Sequence, residues 1–122
     1  MFKKDKDILK AIVKEFSADK RIVRVIIYGS RVRGDYKGTS DLDMLVLVDK
    51  KDRDIKDKIL SIVYSYELQT DTSFAITIFS IEEMKFNERL GSPFIESIKK
   101  EGITIYDIER RGEEIAFELS SR

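Results

Sequence analysis

Apolar side chains recur at Ile8, Leu9, Ile12, Val13 and Phe16, with Lys, Asp and Glu between them. That three-and-four spacing predicts an amphipathic helix over residues 4–17. The run 22–28 is short, apolar and β-branched, and it stops at Gly29, which predicts a buried strand. Residues 30–40 are rich in Gly, Ser and Thr and read as a turn with a short helical segment. A second strand follows over 41–49, rich in Leu and Val. Helical spacing returns over 52–68 through Ile55, Ile59, Leu60 and Val63, and a third strand covers 74–79. Ser80 followed by Glu83 is the pattern of a capping box and predicts a helix over 81–90. Pro93 after Ser92 opens another helix, which Gly102 closes, and a fourth strand covers 103–106. The stretch 107–122 is polar, with Ile115, Phe117 and Leu119 spaced along it. It reads either as a loosely docked helix or as a tail that binds a partner.

No repeat, low-complexity tract or Pro/Gly-rich linker divides this series. The order of elements predicts one α/β (α+β) domain: a small mixed β-sheet flanked by helices. The chain has 122 residues, of which 42% are hydrophobic, enough for one packed core. Charged residues reach 38%, above the roughly 25% of ordinary soluble domains, so the surface is heavily charged. The 23 Lys+Arg balance the 23 Asp+Glu, and a long nucleic acid is therefore not an expected partner. The first residues mix acids and lysines among the apolar positions and do not form a signal peptide, and no run is long enough for a membrane span. A cytoplasmic location is expected.

The chain contains no Cys and no His. Thiolate metal sites, disulfides and every Ser-His-Asp scheme are excluded. Chemistry must come from carboxylates, hydroxyls and cationic side chains. Oxygen ligands favour Mg²⁺ or Mn²⁺ over Zn²⁺.

One stretch combines such groups: Tyr28-Gly29-Ser30-Arg31-Val32-Arg33-Gly34, followed by Ser40-Asp41-Leu42-Asp43. Gly29 at a strand end lets a ligand approach the backbone, and the N–H groups opening a helical turn attract phosphate. Ser30 adds a hydroxyl, and Arg31 and Arg33 add planar cations suited to phosphate oxygens. Asp41 and Asp43, two apart on a strand, project to the same side. Leu42, Met44, Val46 and Val48 then face apolar packing. Two adjacent carboxylates repel each other unless a cation lies between them, and a divalent metal serves. Each fragment alone reads as a turn or a solvated edge. In this order they place phosphate donors beside metal ligands, which is what nucleotidyl transfer needs.

Gly29-Ser30 followed by Ser40-Asp41-Leu42-Asp43 resembles the signature of the DNA polymerase beta-like nucleotidyltransferase superfamily. The form Gly-Ser-Arg-Val-Arg-Gly is similar to that of its minimal bacterial and archaeal members. The second half, through Ser92-Pro93-Phe94 and Glu101-Gly102-Ile103, matches more loosely. The resemblance implies a nucleotidyltransferase fold, with Asp41 and Asp43 as catalytic metal ligands. Gly29, Ser30, Arg31, Arg33 and Ser40 would hold a nucleoside triphosphate. It further implies transfer of a nucleoside monophosphate to a hydroxyl, with release of pyrophosphate. The superfamily places a third carboxylate on the next strand. Here that strand is Phe74-Ala75-Ile76-Thr77-Ile78-Phe79 and has no acid; Ala75 takes the expected place, and Asp71, of the same parity, reads as a turn residue before the strand or as a substitute if the strand starts early. Small members of the family pair with a separate helical HEPN-type protein in toxin–antitoxin operons. A second reading follows: a catalytically weakened binding module or antitoxin acting on such a partner. The acceptor surface would come from that partner or from a homodimer mate.

Overall fold

A computed structural model describes residues 3–34 and 41–110. The first helix, α1 (Lys3–Phe16), buries Leu9, Ile12 and Phe16, the stripe that its spacing predicts. Strand β1 (Ile22–Tyr28) leads into a single helical turn, α2 (Ser30–Arg33), and β2 runs over Leu42–Val48. Helix α3 (Arg53–Gln69) starts at Asp52, whose side chain accepts a hydrogen bond from Ile55 N at 2.9 Å. Strand β3 (Phe74–Ser80) is followed directly by α4 (Ile81–Leu90). The capping box is present: Ser80 Oγ accepts from Glu83 N, and the Glu83 carboxylate accepts from Ser80 N, both at 3.0 Å. Helix α5 (Pro93–Glu101) has Ser92 as its cap and Pro at its start, and β4 (Ile103–Asp107) closes the sheet. A short 3-10 turn spans Ile108–Arg110, so only the first residues of the polar tail are described; Ile115, Phe117 and Leu119 lie outside the described residues.

The four strands lie in the order β3-β2-β1-β4. β1 is antiparallel to both β2 and β4, and β2 is parallel to β3, with α3 making the crossover a parallel pair requires. The sheet is therefore mixed and flanked by helices, as expected.

Apolar residues cover both faces. Leu42, Met44, Val46 and Val48 pack with Val25 and Ile27 against α1 and α3. Leu45 and Leu47 pack with Ile26 against Met84, Ile95 and Ile98 of α4 and α5. β2 is thus a central strand buried on two sides along most of its length. Its one polar interior position is Asp43, opposite Tyr28 at the end of β1.

β3 is an edge strand, and its free side is guarded. Ser73 gives its carbonyl to Leu42 N of β2, so the alternate residues from Phe74 onward direct their backbone groups outward. On that side Phe74 N donates to Glu67 Oε2 at 2.7 Å, and Lys51 Nζ donates to the Ile78 carbonyl at 3.2 Å. Charged side chains occupying an edge in this way block strand addition.

Candidate active site

The end of β1 and the start of β2 meet across an antiparallel pair in which Tyr28 lies opposite Asp43. Gly29 follows Tyr28 with φ 89° and ψ −171°, a region that only glycine enters readily. A methyl group at Gly29 would lie 2.1 Å from Asp43 Oδ2. The glycine thus lets its own backbone, one residue before Ser30, lie against the Asp43 carboxylate. The turn that starts at Ser30 closes with Arg33 N donating to the Gly29 carbonyl and Gly34 N to the Ser30 carbonyl. Gly34 ends it with φ 85°.

Asp41 lies just before β2 and is exposed, while Asp43 is partly buried. Burial raises the proton affinity of Asp43, the Asp41 charge raises it further, and Arg33 lowers it. The two carboxylates are thus close enough to repel each other, and the Arg33 cation is near enough to ease the repulsion. Ser73 Oγ donates to Asp41 Oδ1 at 2.6 Å and fixes that carboxylate from the β3 side. Among the described residues no group of three or more His, Cys, Asp or Glu could cage a metal. Two carboxylates at an open strand end fit Mg²⁺, which keeps much of its shell for phosphate oxygens and water.

Next to Asp43 on β3, in register, is Ala75. The strand position beside the carboxylate pair therefore holds no acid. Asp71 is an exposed residue of the bend before β3, and the strand begins only at Phe74. Tyr28 borders the site from β1. Burial raises its phenol pKa, a hydrogen bond with Thr77 opposes the shift, and the Asp43 charge adds to it. Its ring packs edge-on against Phe94 at 5.6 Å between centroids.

The two arginines of the motif do different things. Arg33 is 44% exposed and donates to Glu101 Oε2 at 2.8 Å, at the rim of the site. Arg31 is only 7% exposed, and its Nη2 donates to Asp5 Oδ2 at 2.7 Å. Buried to this degree, Arg31 braces the turn from within. Asp5 is 1% exposed and also accepts from Thr72 Oγ1 at 3.0 Å. Asp5, Thr72 and Ser73 do not stand out in the motif. The signal for Asp5 was its position: it lies four residues before Leu9 and seven before Ile12, on the buried stripe of α1. Ser40 lies outside the described residues, as does Tyr36.

Known proteins resemble this chain in sequence and in fold. The family model for polymerase beta nucleotidyltransferases matches residues 10–111. The chain is 31% identical to MJ0141 of Methanocaldococcus jannaschii, provisionally assigned as a protein adenylyltransferase, over 77% of this chain and 95% of that one. A provisionally assigned nucleotidyltransferase of Sulfolobus solfataricus shares the fold, with TM-score 0.55, 23% identity, and coverage of 86% of this chain and 82% of that one. A toxin–antitoxin structure with AMP-PNP shares it with TM-score 0.55, 13% identity, and coverage of 95% and 80%. Among the described residues no helix is long and apolar enough to cross a membrane.

Proposed function

Because this chain belongs to the polymerase beta nucleotidyltransferase family, we propose that it transfers a nucleoside monophosphate from a triphosphate to a hydroxyl on a protein. AMP is the first candidate, since MJ0141 is assigned as a protein adenylyltransferase. The observation that carries the reading is the contact of Gly29 with Asp43, which puts the Ser30 turn directly beside the Asp41–Asp43 pair.

In this reading Ser30 and the backbone N–H groups of its turn hold the terminal phosphates, with Arg33 and Ser40 at the rim. Asp41 and Asp43 would hold Mg²⁺ or Mn²⁺, which would supply neutralisation of phosphate charge and polarisation of the α-phosphorus. The acceptor oxygen bonds to the α-phosphorus, the bond to the bridging oxygen of the β-phosphate breaks, and pyrophosphate leaves. The hydroxyl proton leaves to solvent or to a base on the acceptor, because β3 offers Ala75 beside Asp43.

That alanine also favours a second reading, in which the domain is a weakened enzyme that acts chiefly as a binding module or antitoxin on a HEPN-type helical partner. Resemblance to a toxin–antitoxin structure supports it at the level of the fold.

The test is transfer of label from α-labelled ATP to protein in an extract of the native host, with Mg²⁺, using the natural chain and Asp41→Asn/Asp43→Asn. Metal-dependent label on a protein, lost in the variant, is the expected result. Absence of label with every nucleoside triphosphate refutes the enzyme reading. Full neutralisation of a toxic partner by the double variant supports the binding module instead.

A further inference from the structure

Asp5 does not face the site, yet it touches both of its halves. One carboxylate oxygen accepts from Arg31, the residue after Ser30, and the other from Thr72, the residue before Ser73. Ser73 in turn donates to Asp41 and gives its carbonyl to Leu42 N at 2.9 Å. A single buried carboxylate on α1 thus joins the turn at Ser30 to the turn that fixes Asp41.

Helix packing does not need a charge there. Ion pairing inside a protein costs desolvation, so a buried pair is a poor source of stability beside an apolar residue of similar size. What it supplies is direction: a carboxylate with two oxygens fixes two donors in one geometry.

We infer that Asp5 is a positioning residue that sets the distance between the phosphate-binding turn and the Asp41–Asp43 pair, an inference that rests on the nucleotidyltransferase reading of that site. Shortening or discharging it lets the two halves drift apart, and misplacement by about 1 Å can cost up to ~10²-fold in rate.

The experiment compares the natural chain with Asp5→Asn, Thr72→Val and Asp19→Asn. Asp19 is a matched control: it is buried and paired, with Arg21 and Lys58, but lies in a separate ion-pair cluster. Two quantities are read well below each variant's own midpoint: the dissociation constant for ATP with Mg²⁺, and the rate of label transfer or of pyrophosphate release. Asp5→Asn is expected to weaken ATP binding about tenfold and slow turnover by up to ~10²-fold. Thr72→Val, which keeps shape and removes one hydrogen bond, should show the same change on a smaller scale, and it serves if Asp5→Asn does not fold. Asp19→Asn should lower the midpoint and leave binding and turnover as they were. If Asp5→Asn and Thr72→Val lose only thermal stability, as Asp19→Asn does, the positioning role is overturned while the site reading stands. If the natural chain binds no ATP, the site reading fails and takes this role with it.

Discussion

Replacing Gly29 by Ala tests the closeness on which the site depends. Two costs add. At φ 89° and ψ −171° the backbone sits where only glycine is at ease, and an alanine there is strained by roughly 1–3 kcal/mol. The new methyl also meets Asp43 Oδ2 at 2.1 Å, with Asp43 Cγ at 3.1 Å. The carboxylate must swing aside, at about 0.5–1.5 kcal/mol for a side chain pushed off its preferred rotamer. Together they give a loss of about 1.5–4.5 kcal/mol, and at ~4 °C per kcal/mol for a domain of this size the midpoint falls by about 6–18 °C. Function falls further than stability, because the displaced carboxylate is the proposed metal ligand. The assay is the thermal midpoint with and without Mg²⁺ and ATP. Gly34→Ala is the control: it also has positive φ, but among the described residues nothing lies within 4 Å of its added methyl. It should cost about 1–2 kcal/mol through the backbone alone and keep the rise on adding nucleotide. A Gly29→Ala protein melting within about 2 °C of the natural chain, with the same rise on adding Mg²⁺ and ATP, would refute the argument.

Three other outcomes are expected. Ala75→Asp puts a third carboxylate beside Asp43, so the midpoint should fall without metal and rise more steeply with it, and turnover should increase toward the ~10²–10⁴-fold that general-base help supplies; equal midpoints in both conditions would argue against a metal between these groups. Glu101→Gln removes a negative charge that competes with phosphate for Arg33, and since a half-exposed ion pair is worth at most ~1 kcal/mol, KM for ATP should drop by no more than about fivefold, whereas an increase in KM would show that Glu101 helps binding. Asp19, hydrogen-bonded by Arg21 and then by Lys58, is held well below the usual carboxylate range. Its stabilisation is complete above an unfolded pKa near ~3.9 and is lost as pH falls toward the folded value. The urea midpoint of Asp19→Asn should therefore vary less between about pH 4 and pH 2 than that of the natural chain, and an unchanged slope would contradict this.

How much of this could be read from the chain depended on the range of the interaction. Local devices were plain: the capping box of Ser80 and Glu83, the Ser92-Pro93 start, the glycine stops, and the helical spacing of Leu9, Ile12 and Phe16 all appear where expected. Asp43 falls on β2 where the strand was expected, Asp41 lies one residue before it, and Ala75 lies beside Asp43 in the parallel ladder. Long-range partners were hidden. Arg31 looked like a phosphate ligand because motif reasoning counts charges without knowing their depth; its partner Asp5 is 26 residues away. The apolar packing of Leu42, Met44, Val46 and Val48 was legible, whereas the burial of Leu45 and Leu47 under α4 and α5 on the other face was not.

The guarded edge of β3 bears on how the chain behaves before it is finished. Phe74–Ser80 carries no charge and no proline, the composition of a segment prone to stack into cross-β assemblies. Its guards, Lys51, Glu67 and the Glu83 that occupies Ser80 N, come from the loop after β2, from α3 and from α4. None of them is in place until those elements have docked. The protection is therefore a property of the folded state alone, and the hazard is set by how long the strand waits for its neighbours. During refolding at high protein concentration, loss should track the lifetime of chains in which α3 and α4 are not yet seated.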